Sequence, residues 1–257
     1  MLKVRVIPTL LWKGFGLVKG VGFNSWRRVG SVLPALKVYN TRDVDELILV
    51  DITASLEQRA PDHDAVADFS DECFVPLTIG GGINNLQQIV NLLRAGADKI
   101  CVNSATFDDP QLVDQAASRF GAQCVVVSID VRRQEDDSRS VFTQSGTRDT
   151  GKDPCSWARE MADRGAGEIL LTSIDRDGTM SGYDLALVER VTSCVDIPVI
   201  ASGGAGNYQH MVDVIKQGGA SAVAAASMFH FTEQTPAGAK KALQTAGIPV
   251  RQAFIPV

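Results

Sequence analysis

The chain repeats itself. VPLTIGGGINNLQQIVNLLRAGADKICVNSA (75–105) aligns with IPVIASGGAGNYQHMVDVIKQGGASAVAAAS (197–227). Pro76 matches Pro198, Gly81 and Gly82 match Gly203 and Gly204, and Asn85 matches Asn207. One inserted residue near Gly219 then brings Ser104 opposite Ser227. DELILVDIT (45–53) answers GEILLTSID (167–175) in the same way, with Glu46 opposite Glu168. A repeat of this length restricts the chain to architectures in which one structural unit occurs twice and packs against its copy.

The unit is a strand followed by a helix. Short apolar runs lie near 4–10, 46–52, 76–80, 98–103, 123–130, 167–173, 197–202 and 221–226. Between them, segments such as NLQQIVNLLRAG (85–96) and NYQHMVDVIKQGG (207–219) carry apolar residues at three- and four-residue steps, the period of a helix packed on one face. Both end at glycine, which accepts the left-handed conformation of a helix C-cap. Eight such units in 257 residues predict an α/β fold, a single (β/α)8 TIM barrel. No Ser/Pro/Gly-rich linker divides the chain, so the expectation is one domain made of two fused half-barrels, about 1–122 and 123–257.

Composition narrows the function. A formal charge of −5 gives no electrostatic reason to expect nucleic acid or an anionic membrane as partner. No apolar run approaches the roughly 20 residues of a spanning helix and no signal-like segment opens the chain, which points to the cytoplasm. Cys73, Cys101, Cys124, Cys155 and Cys194 are widely spaced and form no C-x-x-C, so they read as buried free thiols. His63, His210 and His230 lack ligand spacing. Neither a metal nor another cofactor is expected.

In a barrel of this kind ligands bind at the C-terminal strand ends. There the sequence places IGGGI (79–83) after the third strand and ASGGAG (201–206) after the seventh. Each cluster lets backbone N–H groups approach an anion and is followed by a helix whose N-terminus favours negative charge. Each also has a neighbour at the next strand end, Asn103 and Ser104 for the first, Ala226 and Ser227 for the second. Two phosphate sites facing each other are one reading; plain turn chemistry is the other. A ligand bridging them would hold its reacting centre near the axis, where the candidates are Asp51, Asp130, Thr172 and Asp177. Asp130 ends the apolar run CVVVSID, and burial there raises a carboxyl pKa towards the range useful for acid–base work. Alternatively Asp130 caps the following loop, and Asp175, Asp177 and Gly178 organise a turn.

These motifs carry a resemblance. GEILLTSIDRDGTMSGYDL, PVIASGGAGN, LTIGGGI, RAGADKICVNSA and SMFHF resemble the cyclase subunit (HisF) of imidazole glycerol phosphate synthase, over Arg5 to about Arg251. The resemblance implies a barrel that forms a heterodimer with a HisH-like glutaminase, whose ammonia crosses the barrel core to a phosphorylated small-molecule ligand at the far face. It implies phosphate and substrate contacts from Lys19, Gly81, Gly82, Asn103, Ser104, Thr172, Asp177, Gly178, Gly203, Gly204, Ala226 and Ser227. It implies an ammonia gate at Arg5, Glu46, Lys99 and Glu168, and a glutaminase-facing surface at Asp98 and Gln123. A structural ion-pair cluster is the other reading of the four gate charges.

One implied residue is missing. The family uses two aspartates as acid and base; one matches Asp130, and the other falls at Leu11. The repeat agrees, since TLL (9–11) stands opposite SID (128–130). Leucine transfers no proton. Trp12 and Phe15 also stand where the family prefers a polar, ligand-closing segment. This pattern is similar to a paralogous (WbuZ-like) branch associated with glycosyl amidation for surface polysaccharides, in which a separate ATP-dependent sugar amidotransferase activates the sugar. Four readings follow: an ammonia-conducting subunit for sugar amidation, a non-catalytic scaffold that activates a glutaminase, a histidine-pathway cyclase and a phosphosugar isomerase. The charged segment 134–153 reads as a mobile lid or a solvated hairpin.

Overall fold

Strict alternation of side chains along parallel strands gives this chain two separate apolar surfaces, and the fold buries both. The computed structural model describes residues 3–14 and 16–251; Phe15 lies outside the described residues. Its strands are β1 (Arg5–Lys13), β2 (Gly16–Val21), β3 (Asn24–Gly30), β4 (Leu47–Asp51), β5 (Leu77–Gly80), β6 (Lys99–Val102), β7 (Val125–Arg133), β8 (Arg139–Thr143), β9 (Arg148–Asp149), β10 (Glu168–Ser173), β11 (Val199–Ser202) and β12 (Ala222–Ala225). Eight of them are parallel and ordered β1-β4-β5-β6-β7-β10-β11-β12, and β12 pairs back onto β1. The sheet is therefore a closed (β/α)8 barrel, with helices such as Leu86–Arg94, Pro154–Asp163 and Tyr208–Lys216 around it.

The outward residues Val6, Leu10, Leu49, Ile79, Val127, Leu171 and Val223 join the helix faces in one large core. The inward residues Ile7, Ile48, Cys101, Val126, Leu170, Ile200, Ala222 and Ala224 form a second, smaller core on the barrel axis. Period-two alternation alone sorts neighbours such as Val6 and Ile7 into different cores.

Helix limits follow local chemistry. Asn85 and Asn207, matched in the repeat, each accept a hydrogen bond from the N–H three residues on, from Gln88 and His210, and so cap the helices that follow. Gly96 (φ +101°) and Gly219 (φ +69°) carry the left-handed turns expected after them.

Three features go beyond the sequence reading. Strands β1 and β7 run past the barrel rim and fold back as antiparallel hairpins with β2 and β8. The segment 134–153 is a hairpin built into the sheet, with Val141, Phe142 and Thr143 buried, rather than a free lid. It is held by Ser145 Oγ donating to the Ile52 carbonyl (2.6 Å) and by the Gln144 N–H donating to Ser104 Oγ (2.9 Å). Trp12 points away from the axis and packs edge-on against Phe69, 5.3 Å between ring centroids, so it belongs to the outer core and not to a ligand-closing segment.

The cysteine reading changes as well. Cys155 and Cys194 are joined as a disulfide, with Cα atoms 5.9 Å apart, tying helix Pro154–Asp163 to the end of helix Leu185–Thr192. Their 39-residue separation hid the pairing. Cys73, Cys101 and Cys124 are free. Alkylation without reductant followed by peptide mapping should recover Cys155 linked to Cys194 and the other three alkylated. Cys194→Ser should lower unfolding free energy by about 2–4 kcal/mol under oxidising conditions and by much less in reductant.

Candidate active site

At the C-terminal end of the strands the interior opens into a cavity continuous with solvent. Its floor is the inner apolar core, represented by Cys101, Leu170 and Ala224, and its walls are strand ends and the loops after them. Every mouth residue named from the sequence, from Lys19 to Ser227, lines this one cavity: Lys19, Gly81, Gly82, Asn103, Ser104, Asp130, Thr172, Asp177, Gly178, Gly203, Gly204, Ala226 and Ser227. Leu11 lines it too. In the ring of eight, β1 and β7 are four strands apart, so Leu11 and Asp130 stand on opposite walls. The glycine pairs, after β5 and β11, are likewise opposite.

Asp130 is a strongly perturbed carboxyl of the mouth. It is 8% exposed, and burial pushes its pKa up to about 7, against the lowering effect of its hydrogen bonds. Asn103 Nδ2 donates to its Oδ2 at 2.8 Å and Ser128 Oγ to its Oδ1 at 3.3 Å. Near neutral pH the group divides between acid and base, the condition general acid–base work requires. Asn103 Oδ1, on the amide that holds the carboxyl, and Thr9 Oγ1, on the opposite wall, are buried atoms without a hydrogen-bond partner among the described residues.

Lys19 reaches the same space from β2. It is 3% exposed, and its Nζ donates to the Thr9 carbonyl at 3.1 Å. Burial lowers its pKa to about 8, opposed by the Asp177 carboxylate. Asp177 in turn is raised by burial and lowered by Lys19 and by the N–H groups of Phe23 and Gly178. The Asp177 carbonyl also accepts from the Gly22 N–H at 3.0 Å, which ties the loop after β10 to the β2–β3 hairpin. Asp51 is committed differently: its Oδ1 holds the N–H groups of Thr53 and Ala54, and its Oδ2 pairs with Arg59 at 3.1 Å. Asp175 accepts from the Arg133 N–H at 2.8 Å and so organises its loop.

The glycines answer to two demands. Gly81 and Gly203 have φ of +103° and +87°, and a Cβ on either would strike a backbone carbonyl, of Asp51 or of Ser173. Turn geometry alone therefore requires glycine there, and the same residues line the cavity. The sequence reasoning missed Phe23, Trp26, Ser55 and Ser145, which also line the cavity. They sit on the hairpins and on the loop after β4, where no strand period marks them.

At the opposite end of the barrel the four gate candidates form a closed ring. Arg5 Nη1 lies 2.7 Å from Glu46 and 2.9 Å from Glu168; Lys99 Nζ lies 3.1 Å from Glu46 and 3.2 Å from Glu168. Each cation is shared by both anions, which compensates the burial of all four. Burial alone would lower the Arg5 pKa, and Glu168 and Glu46 reverse that to a net rise. Asp98 Oδ2 accepts from the Leu77 N–H at 2.8 Å and Gln123 Nε2 donates to the Phe120 carbonyl at 3.2 Å. Both residues lie at this same end, just before β6 and β7. Among the described residues no three His, Cys, Asp or Glu converge as a metal site, and no helix is long and apolar enough to cross a membrane.

The sequence model of the family described as histidine biosynthesis protein matches residues 5–235. Imidazole glycerol phosphate synthase subunit HisF of Hyphomonas neptunium is 50% identical over 251 residues, covering 98% of this chain and 99% of its own. The chain belongs to the HisF family. The same-named subunit of Streptococcus mutans is 46% identical over 251 residues (98% and 100% coverage), and that of Caulobacter vibrioides is 47% identical over 252 (98% and 97%). The HisF-like barrel therefore carries, in one chain, a charged ring at one end, an apolar interior and a polar mouth.

The Asp130 environment has a measurable consequence. The folded carboxyl holds its proton more tightly than the unfolded one, whose pKa is about 3.9, so its contribution to stability falls as pH rises from about 4 to about 7. Asp130→Asn keeps an acceptor for Asn103 and removes that slope. Urea titrations from pH 4.5 to 8 should show the variant gaining on the parent as pH rises, by up to a few kcal/mol. A constant difference across the range would show that Asp130 ionises as easily folded as unfolded.

Proposed function

We propose that this HisF-family chain is the barrel subunit of a two-component amidotransferase. A HisH-like glutaminase docks on the N-terminal face, at Asp98 and Gln123. Ammonia passes the ring of Arg5, Glu46, Lys99 and Glu168, crosses the apolar interior and meets a phosphorylated ligand at the mouth. Gly81, Gly82, Asn103 and Ser104 take one phosphate; Gly203, Gly204, Ala226 and Ser227 take the other, with Thr172, Asp177, Gly178 and Lys19 closing the site. The support is the ordering of three environments along one axis: a paired ionic ring, the Ile7–Ile48–Leu170 interior and a cavity with the half-protonated Asp130. The route needs no spanning helix and suits a cytoplasmic complex.

The reaction at the mouth turns on Leu11. A cyclisation that uses two facing carboxyls has one of them here, and each positioned acid or base contributes typically 10²–10⁴-fold in rate. The reading we favour for the mouth is therefore supply of ammonia for amidation of a surface-polysaccharide sugar, together with an ATP-dependent sugar amidotransferase. The relatives favour a second reading, cyclisation in histidine biosynthesis, because 46–50% identity over nearly the whole chain links it to subunits of imidazole glycerol phosphate synthase. By likeness alone that second reading is the better supported; Leu11 on the wall facing Asp130 is the observation against it. A barrel that only docks and activates the glutaminase shares the same intact ring.

A cyclase assay decides between them, run with ammonium salt and with the glutaminase on the parent and on Leu11→Asp. An inactive parent and a gain of about 10²-fold or more in Leu11→Asp is the expected result. Turnover by the parent at an ordinary enzymatic rate would make this a histidine-pathway cyclase.

A further inference from the structure

Lys19 is the one cationic side chain among the described residues that line the mouth, and its position is not that of a surface phosphate clamp. It is buried along its length, and no carboxylate lies in ion-pair distance of its Nζ among the described residues. The charged and titratable groups near it come from three elements, and Arg27 of β3 stands opposite it in the β2–β3 register. Asp177, on the loop after β10, is the only anion whose field acts on it appreciably. His230, on helix Ser227–Phe231, is held neutral at ordinary pH, its pKa lowered to about 4 by burial and then by the Lys19 and Arg42 charges. Leu11, on the neighbouring strand β1, adds no counter-charge. The amine therefore donates to a neutral carbonyl, that of Thr9, in a cavity that also holds Asp130. Burial with one distant carboxylate is the setting in which lysines become nucleophiles rather than fixed cations.

We propose that Lys19 is a nucleophilic amine that condenses with phosphorylated aldehydes or ketones held in the mouth of the barrel. The unprotonated Nζ adds to the carbonyl carbon, the C=O electron pair moves to oxygen, and the ammonium proton passes to that oxygen to give a carbinolamine. A proton from solvent in the open mouth converts the hydroxyl to water, which leaves while the nitrogen lone pair forms C=N, and the iminium proton returns to solvent. The balance is one amine and one carbonyl giving one imine and one water, with no redox partner. The assignment rests on the reading of the mouth as a phosphate-binding site and is independent of ammonia supply.

The test uses pyridoxal 5′-phosphate as a probe that joins an aldehyde to a phosphate, followed by borohydride reduction and peptide mapping of the full chain at pH 8. Lys19 should be modified about tenfold or more faster than any exposed lysine, because more of its amine is unprotonated there. Inorganic phosphate should slow the reaction at Lys19 and not elsewhere. Lys19→Met should lose the fast phase. Asp177→Asn, which removes the charge that raises the Lys19 pKa, should shift the pH midpoint of the reaction at Lys19 downwards. Modification of Lys19 no faster than of exposed lysines, or a fast phase surviving in Lys19→Met, would overturn the assignment of the amine. Equal rates with unphosphorylated pyridoxal and no protection by phosphate would instead overturn the phosphate half, and with it the reading of the mouth on which it rests.

Discussion

Closure of a parallel sheet is the constraint on which everything else in this molecule depends. Once β12 pairs with β1 and β10 with β7, every second strand residue faces the axis and has nowhere else to go. The chain fills that axis in layers. Arg5, Glu46, Lys99 and Glu168 neutralise each other at one end, Ile7, Ile48, Val126, Leu170 and Ile200 fill the middle, and Asn103, Asp130 and Thr172 reach the mouth. Four charges with side-chain exposures of 9–21% are stable at a strand-start position because each has two partners of opposite sign. An unpaired member would carry a desolvation cost that the barrel has no other means to offset.

The same closure turns a linear repeat into an opposition. Residues matched in the repeat end four strands apart, so whatever the two halves share appears twice around the mouth and whatever they do not share becomes an asymmetry across it. The glycine pairs are shared. The acid is not: Asp130 meets Leu11. The hairpins extend the pattern, since β1 and β7, the two opposed strands, are the ones that overrun the rim and fold back. Their inner faces bring Lys19, Phe23, Trp26 and Ser145 over the cavity and enclose it.

Enclosure sets the electrostatics. Asp130 and Lys19 are pushed in opposite directions by the same cause, loss of water, towards about 7 and about 8. Groups that in water would be fully charged at neutral pH thereby acquire a labile proton, and Asp177 modulates both, raising the pKa of each. Leu11, apolar on the strand that pairs with β2, leaves the amine without a counter-charge from that position.

The sequence by itself determined the eight strand–helix units, the paired glycine clusters and the pairing of Leu11 with Asp130 in the repeat, because period, repeat and residue type are local properties that need no coordinates. Strand limits were legible to within about three residues. Tertiary structure decided the rest. The β1–β2–β3 hairpins could not be read because Gly14, Gly16 and Gly20 blur alternation in 14–22, and charges in 134–153 hide how far that hairpin is built into the sheet. Trp12 could not be assigned to the outer core until β1 was seen to be continuous through it. The Cys155–Cys194 pairing and the isolation of Lys19 depend on which helices and loops become neighbours around a closed ring. Contacts between residues distant in sequence are set by packing and burial, and a one-dimensional pattern holds no measure of either.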